Sequence, residues 1–203
     1  DVSGTRVVLQ IHRIEAIDKL EGLGDDPDLI LNVWINDVLK MELGPYVDQN
    51  PVIIDTQCEY YCQTTEIELT FQMIEEDLLD YDEVDISSFP GGGQDDMTTP
   101  SVGAVFWASY NITTKEFYGD QVKTEGEWHV TSGEYDGSTS VDENDGAVYF
   151  SIESNSPARM TGQAPEGDSV TLEEGQEQTF SVSVEDDDGD PLEVYWGIDD
   201  YFY

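Results

Sequence analysis

The chain has 203 residues and a formal net charge of -39, from 46 acids against 7 Lys+Arg, with 38% apolar and 11% aromatic residues. Phosphate recognition relies on Lys and Arg, so this balance excludes a nucleic-acid binder built on a basic patch and argues against direct attachment to an anionic membrane. The apolar residues fall in alternating runs and the acids are spread over the whole length, which favours a folded core over disorder.

The length fits one large or two small domains. Self-repulsion of this size is tolerated where high salt screens it or where divalent cations are abundant, which points to a halophilic, archaeal source. No apolar run is long enough to span a bilayer. Asp1 stands where an initiator Met would, so a mature, exported chain without its leader is expected.

Residues 5–14 alternate as a strand, with Val7, Leu9 and Ile11 on one side and Val8, Gln10 and His12 on the other. A loop with Gly22, Gly24 and Pro27 follows, carrying Asp25, Asp26 and Asp28. Residues 29–35 predict a second strand, Asn36-Asp37 a turn, and residues 38–43 the return of a hairpin. Residues 52–56 and 66–74 predict further strands, with the cysteine segment between them. In the second of these Ile67, Leu69, Phe71 and Met73 are apolar while Glu66, Glu68, Thr70 and Gln72 are polar, the mark of a half-buried strand. Residues 87–100 read as a linker-like loop, 102–112 as a strand crossing the core, and 117–118, 128–130 and 147–152 as shorter strands. Short strands with turns between them, and no long helical period, predict an all-β sandwich over residues 1–154.

Residues 155–165 read as an interdomain linker. Beyond them Val170 and Leu172, then Phe180, Val182 and Val184, then Leu192, Val194 and Trp196 alternate in three strands, as at the opening of an immunoglobulin-like domain over residues 166–203. About three strands stand where roughly seven are expected. The chain is then a fragment, or the domain is of a short type, or a neighbouring subunit supplies the missing strands.

The chemistry suggested by these residues is that of acids. Glu75, Glu76, Asp77, Asp80, Asp82, Glu83 and Asp85 crowd together after the strand that ends near Met73, with no Lys or Arg among them. Carboxylates this close repel one another unless water, salt or a hard cation screens them, and oxygen-only ligands suit Ca²⁺. Asp186, Asp188 and Asp190 form a similar group in the turn EDDDGDP; the same residues also suit a tight turn in which Asp caps backbone N–H groups. Cys58 and Cys62 are the only cysteines. A metal pair lacks a second pair or a nearby His, a local disulfide fits an oxidising exterior, and both can be reduced and buried. Asn111-Ile112-Thr113 is a glycosylation sequon. For catalysis the two His, 12 and 129, stand outside any GxSxG, HExxH or phosphate-loop motif, so no enzymatic activity is expected.

Residues 5–153 resemble a divergent C2 domain, the calcium- and lipid-binding β-sandwich. The carriers are Ile14, Ala16 and Leu20 at the end of the first strand, Asp26-Pro27 ahead of the strand at 29–35, and Glu75, Asp77 and Asp82 or Glu83 in the acidic loop. Glu75 departs from the usual Asp, Asp28 replaces the usual aromatic, and residues 87–146 are longer than the family pattern. The resemblance implies that two acidic loops meet at one end and hold Ca²⁺ between them. Asp18, Asp25, Asp26, Asp28, Glu75, Asp77, Asp82 and Glu83 are the ligands it suggests. Membrane docking transfers poorly, because the loops show neither a basic patch nor an apolar wedge. Residues 157–203 resemble the front half of a PKD-like or Ig-like repeat of archaeal and bacterial surface proteins, carried by the Gly175-to-Phe180 step, the Asp-rich turn and Trp196. Such turns often bind Ca²⁺, which adds Asp186, Asp188 and Asp190 as candidate ligands. Together these readings predict an extracellular, Ca²⁺-binding structural or adhesive protein that associates with itself or with other surface proteins. The alternative is an accessory module of a larger secreted enzyme, such as a protease.

Overall fold

The computed structural model describes residues 4–17, 27–76, 81–88, 104–137, 144–167, 169–186, 188–198 and 201–202. In chain order the strands are β1 (Thr5–Ala16), β2 (Leu29–Ile35), β3 (Val38–Tyr46), β4 (Val52–Cys62), β5 (Glu66–Glu76), β6 (Tyr81–Val84), β7 (Phe106–Asn111), β8 (Glu116–Gly119), β9 (Lys123–Glu125) and β10 (Trp128–Ser132). A 3-10 turn, Gly133–Asp136, leads on to β11 (Gly146–Asn155), β12 (Arg159–Ala164), β13 (Ser181–Glu185), β14 (Gly197–Ile198) and β15 (Tyr201–Phe202).

The fold is all-β. One sheet has the order β4-β1-β11-β10-β9; the other has β3-β2-β5-β7-β8, with β6 also on β5. All pairings between these strands are antiparallel. β5 is the spine of the second sheet. One edge pairs with β2 through residues 69–75, while the other is shared by β7 on Glu66 to Phe71 and β6 on Met73 to Glu76.

The period-2 pattern explains why the two sheets stack. Val7, Leu9 and Ile11 of β1, Leu31 and Val33 of β2, Ile67, Leu69, Phe71 and Met73 of β5, and Val148 and Phe150 of β11 all turn inward and are buried. The hairpin between β2 and β3 turns on Asn36 (φ 49°) and Asp37 (φ 61°), the left-handed pair that a two-residue loop requires.

Several segments differ from expectation. β4 runs straight through the cysteine segment, because Cys58 and Cys62 continue the ladder against β1. The acidic stretch after β5 returns as β6, so Asp82 and Glu83 are strand residues rather than loop residues. The segment expected as a linker contains β12, which pairs with β13. The alternating segments around Val170 to Leu172 and Leu192 to Trp196 are outside strands, and their apolar side chains stay largely exposed. Among the described residues no helix is long and apolar enough to cross a membrane.

The sheets close against each other at one corner. Asp85 forms an isolated bridge with Asp145, the Asp85 N–H donates to the Asn144 carbonyl at 2.9 Å, and the Gly146 N–H donates to the Asp85 carbonyl at 2.7 Å. The Ile17 N–H donates to the Asp145 carbonyl at 2.7 Å. Gly146 sits where the layers touch. A Cβ there would collide with Met73 Cε and Val84 Cγ1 and lie 3.0 Å from the Glu15 carbonyl oxygen. Gly146→Ala is therefore expected to destabilise the sandwich by about 1–3 kcal/mol through overpacking. Urea unfolding checks this, and unchanged stability would show that the corner is looser than described.

Candidate functional site

Three acid-bearing strand ends meet at one end of the second sheet. Leu29 at the start of β2 lies opposite Glu75 near the end of β5, and the Glu76 N–H donates to the Asp28 carbonyl at 2.9 Å. On the other edge of β5, Asp82 of β6 lies directly opposite Glu75. Asp28, Glu75 and Asp82 thus stand on three adjacent strand ends. Like charges opposed across a ladder destabilise it unless they are screened. The Asp28 carboxylate also accepts the Asp48 N–H at 2.8 Å, which ties the chain ahead of β2 to the turn after β3.

Asp18, Asp25, Asp26 and Asp77 lie outside the described residues. They belong to the connection from β1 to β2 and to that from β5 to β6. Glu83 points elsewhere: it is fully buried and accepts the Gln72 amide at 3.4 Å. Among the described residues no three His, Cys, Asp or Glu side chains gather closely enough to hold a metal ion.

The second acidic group serves its own turn. Asp186 Oδ1 accepts the N–H groups of Asp188 at 2.9 Å and of Asp190 at 3.3 Å. Asp188 accepts the Ser156 N–H and lies 4.0 Å from Lys115 Nζ, while Asp190 accepts the Asn155 amide. The turn is thereby fastened to the chain leaving β11.

The expected disulfide between Cys58 and Cys62 does not form; both cysteines are free. They lie four residues apart on one extended strand, a separation of about 13 Å, roughly twice what a disulfide spans. Cys62 is buried, and burial raises the thiol pKa of Cys58. At the sequon, the Asn111 side-chain oxygen accepts the N–H groups of Thr113 and Thr114, both at 3.0 Å, and so caps the turn between β7 and β8.

Three features were not foreseen from the sequence. The first is a relay on the outer face of the first sheet. Register shifts on β1 and β4 bring His12 and Asp55 (φ 50°) side by side. His12 Nδ1 is 3.2 Å from Asp55 Oδ1, His12 Nε2 is 2.9 Å from Ser151 Oγ, and the ring stacks on Trp128 at 5.0 Å. The order of contacts is that of acid, base and hydroxyl. Ser151, however, sits within the β1–β11 ladder opposite Gln10, where backbone N–H groups serve strand pairing rather than a developing oxyanion. The relay ties three strands together across a bulge.

The second is Asp120, buried just after β8. Its carboxylate accepts the Ser87 hydroxyl at 2.8 Å, the Ser88 N–H at 2.9 Å and the Trp107 N–H at 2.7 Å. The third is His129, which packs 5.0 Å from Phe117 and 5.6 Å from Phe150. Acidic composition alone does not distinguish these groups, because which acid is buried is decided by cross-strand register.

No protein-family model matches the sequence. No curated protein matches it either. Among solved structures, a C2 domain is similar at 9% identity and a TM-score of 0.41, over 74% of this chain and 97% of that one. Human GIVD cytosolic phospholipase A2 is similar at 12% identity and a TM-score of 0.38, over 79% of this chain but only 18% of that one. The same phospholipase in complex with methyl gamma-linolenyl fluorophosphonate inhibitor and terbium chloride gives a TM-score of 0.37. The class of the present chain is accordingly that of its own sheets, an antiparallel all-β sandwich.

Burial holds the His129 imidazole below its ordinary value of 6.5. The unfolded chain therefore takes up this proton more readily than the folded one. The contribution of the neutral ring is fully present above pH 6.5 and is lost as pH falls through the lower folded value. His129→Gln is expected to flatten the fall in melting temperature below pH 6.5 relative to the unaltered chain. Identical pH profiles would remove His129 as a contributor.

Proposed function

We propose that this chain is a non-catalytic, calcium-binding β-sandwich module of an extracellular structural or adhesive protein. The observation that supports it most is the alignment of Asp28, Glu75 and Asp82 on adjacent strand ends, with Asp18, Asp25, Asp26 and Asp77 in the connections from β1 to β2 and from β5 to β6. Glu75 and Asp82, like charges opposed across one ladder, are stabilised more by a shared divalent cation than by water alone. Ca²⁺ fits this donor set, which offers oxygen atoms only. It would screen the like-charge opposition of Glu75 and Asp82 and lock β2, β5 and β6 at that end.

The wider setting follows from charge. With a net charge of -39 the module is suited to a salt-rich exterior, as in a halophilic archaeon, where its repulsion is screened. The region after residue 155 supports an assembly role. Met160 is 62% exposed, Phe180 55% and Tyr195 68%, a loading of apolar surface that strands of a neighbouring surface subunit would cover, as in a PKD-like or Ig-like repeat completed in trans. The same exposure fits the second reading, an accessory module resting on the catalytic part of a larger secreted enzyme.

Removal of calcium with EDTA at low salt is expected to lower the melting temperature by about 5–10 °C, as for a ligand near 100 times its Kd on a chain of this size. Molar NaCl should restore part of the loss by screening the same repulsion. Asp28→Asn combined with Glu75→Gln should abolish the calcium response and raise stability in EDTA. A melting curve indifferent to both EDTA and calcium would overturn the proposal.

A further inference from the structure

The outer face of the second sheet carries a feature that neither calcium nor the acidic strand ends explain. Trp34 of β2, Thr70 of β5 and Trp107 of β7 lie directly opposite one another in a single row across three neighbouring strands. In the row beside it, Tyr118 of β8 lies opposite Ser109 of β7, on the same face. The chain has four tryptophans, and two of them share this row. Trp107 is 44% exposed and Tyr118 52%. Core packing does not account for them, because the buried apolar side chains of these strands point the other way.

Two strand spacings place the tryptophan positions about 10 Å apart. Beside Trp34 is a groove of about 320 Å³ lined by Trp34, Asp37, Thr70, Gln72 and Val105. Its accessible polar groups are the Asp37 carboxylate and the Thr70 hydroxyl, while the Gln72 amide is buried and donates to Glu83; no Lys or Arg is among these lining residues. The Trp107 ring is seated over Gly119, where a Cβ would sit 2.9 Å from Cε3 and 3.0 Å from Cζ3, so the glycine lets the ring pack down onto β8.

We infer that this face is a binding platform for a neutral, extended β-linked hexose oligosaccharide. The chemistry selects that class. Aromatic faces attract the C–H face of a pyranose and exclude water from it, while a hydroxyl and a carboxylate, here Thr70 and Asp37, hydrogen-bond its equatorial hydroxyls. Alternate sugar rings of an extended β-linked chain are separated by a distance comparable to that between the two tryptophan positions. Anionic polymers are disfavoured by the surrounding negative charge, and phosphate-bearing ligands by the absence of Lys and Arg among the described lining residues. Trp34 and Thr70 lie five residues along β2 and β5 from Leu29 and Glu75 at the acidic ends, and the platform does not depend on the calcium reading.

The test is titration of the full chain with cellohexaose, followed by tryptophan fluorescence, in calcium and again in EDTA at molar NaCl. Saturable binding is expected in both, together with no binding of a polygalacturonate hexamer. Trp107→Ala is expected to weaken cellohexaose binding about tenfold, and Trp34→Ala similarly. Trp107 is exposed, so its variant keeps the fold and suffices if Trp34→Ala does not. Circular dichroism melts confirm which variants are folded. Absence of cellohexaose binding, or binding unchanged in Trp107→Ala, would overturn the inference. So would a sedimentation profile in which Trp107→Ala dissociates a dimer, since that assigns the face to a second copy of the chain. Loss of the calcium response with cellohexaose binding retained would sink only the proposed metal site.

Discussion

The two sheets are held together by a small aromatic contact. Phe71 and Phe106 are neighbours within one sheet at 4.9 Å, and Phe150 from the other sheet meets Phe71 edge-on at 5.2 Å and 85°. Phe117 joins at 5.9 Å from Phe150. Each such pair contributes about 0.5–1.5 kcal/mol beyond simple burial. More importantly, they set the spacing at which Leu9, Ile11, Leu31, Leu69 and Val148 are all removed from water. Phe71, Phe106 and Phe150 sit within one continuous buried cluster to which both sheets contribute. The acid load is tolerable because a strand has a face that the core never sees.

That separation of faces also explains where chemistry can be built. Outward positions on β2, β5 and β7 are free to carry aromatic and amide groups without disturbing the inward row. Strand ends are free to carry acids, since they leave the packed layers. The exceptions are acids that are buried. Asp85 and Asp145 are buried at the corner where the sheets meet, and Glu83 is buried against Gln72. Their positions follow from the closing of the sandwich rather than from local composition.

Much of the fold was legible because its signal is local. Ile67, Leu69, Phe71 and Met73 state their strand and its inner face outright, as do the residues of β1 and β2. The Asn36-Asp37 turn is legible for the same reason. What the reading missed depends on pairs distant in the chain. β6 was hidden because Tyr81 to Val84 is acidic and short, and becomes a strand only by pairing with Met73 to Glu76. The Cys58 and Cys62 spacing looked compact on paper, but the extended backbone holds the two thiols far apart. The approach of His12, Asp55 and Ser151 needs two register shifts, and a register shift leaves no mark in a single sequence. At the candidate metal site, the sequence points to Asp28 and Glu75, which stand on neighbouring strand ends, while the burial of Glu83 against Gln72 was not anticipated.

Asp120 has one more implication. Its single carboxylate grips Ser87 and Ser88 on one side and Trp107 on the other, and the Ile86 N–H donates to the Ala104 carbonyl at 3.1 Å. The stretch between Ser88 and Ala104 is thus clamped at both feet by groups that belong to the scaffold. One buried acid fixes where the chain leaves the end of β6 and where it re-enters at β7, so replacing Asp120 would loosen both points of attachment together rather than one alone.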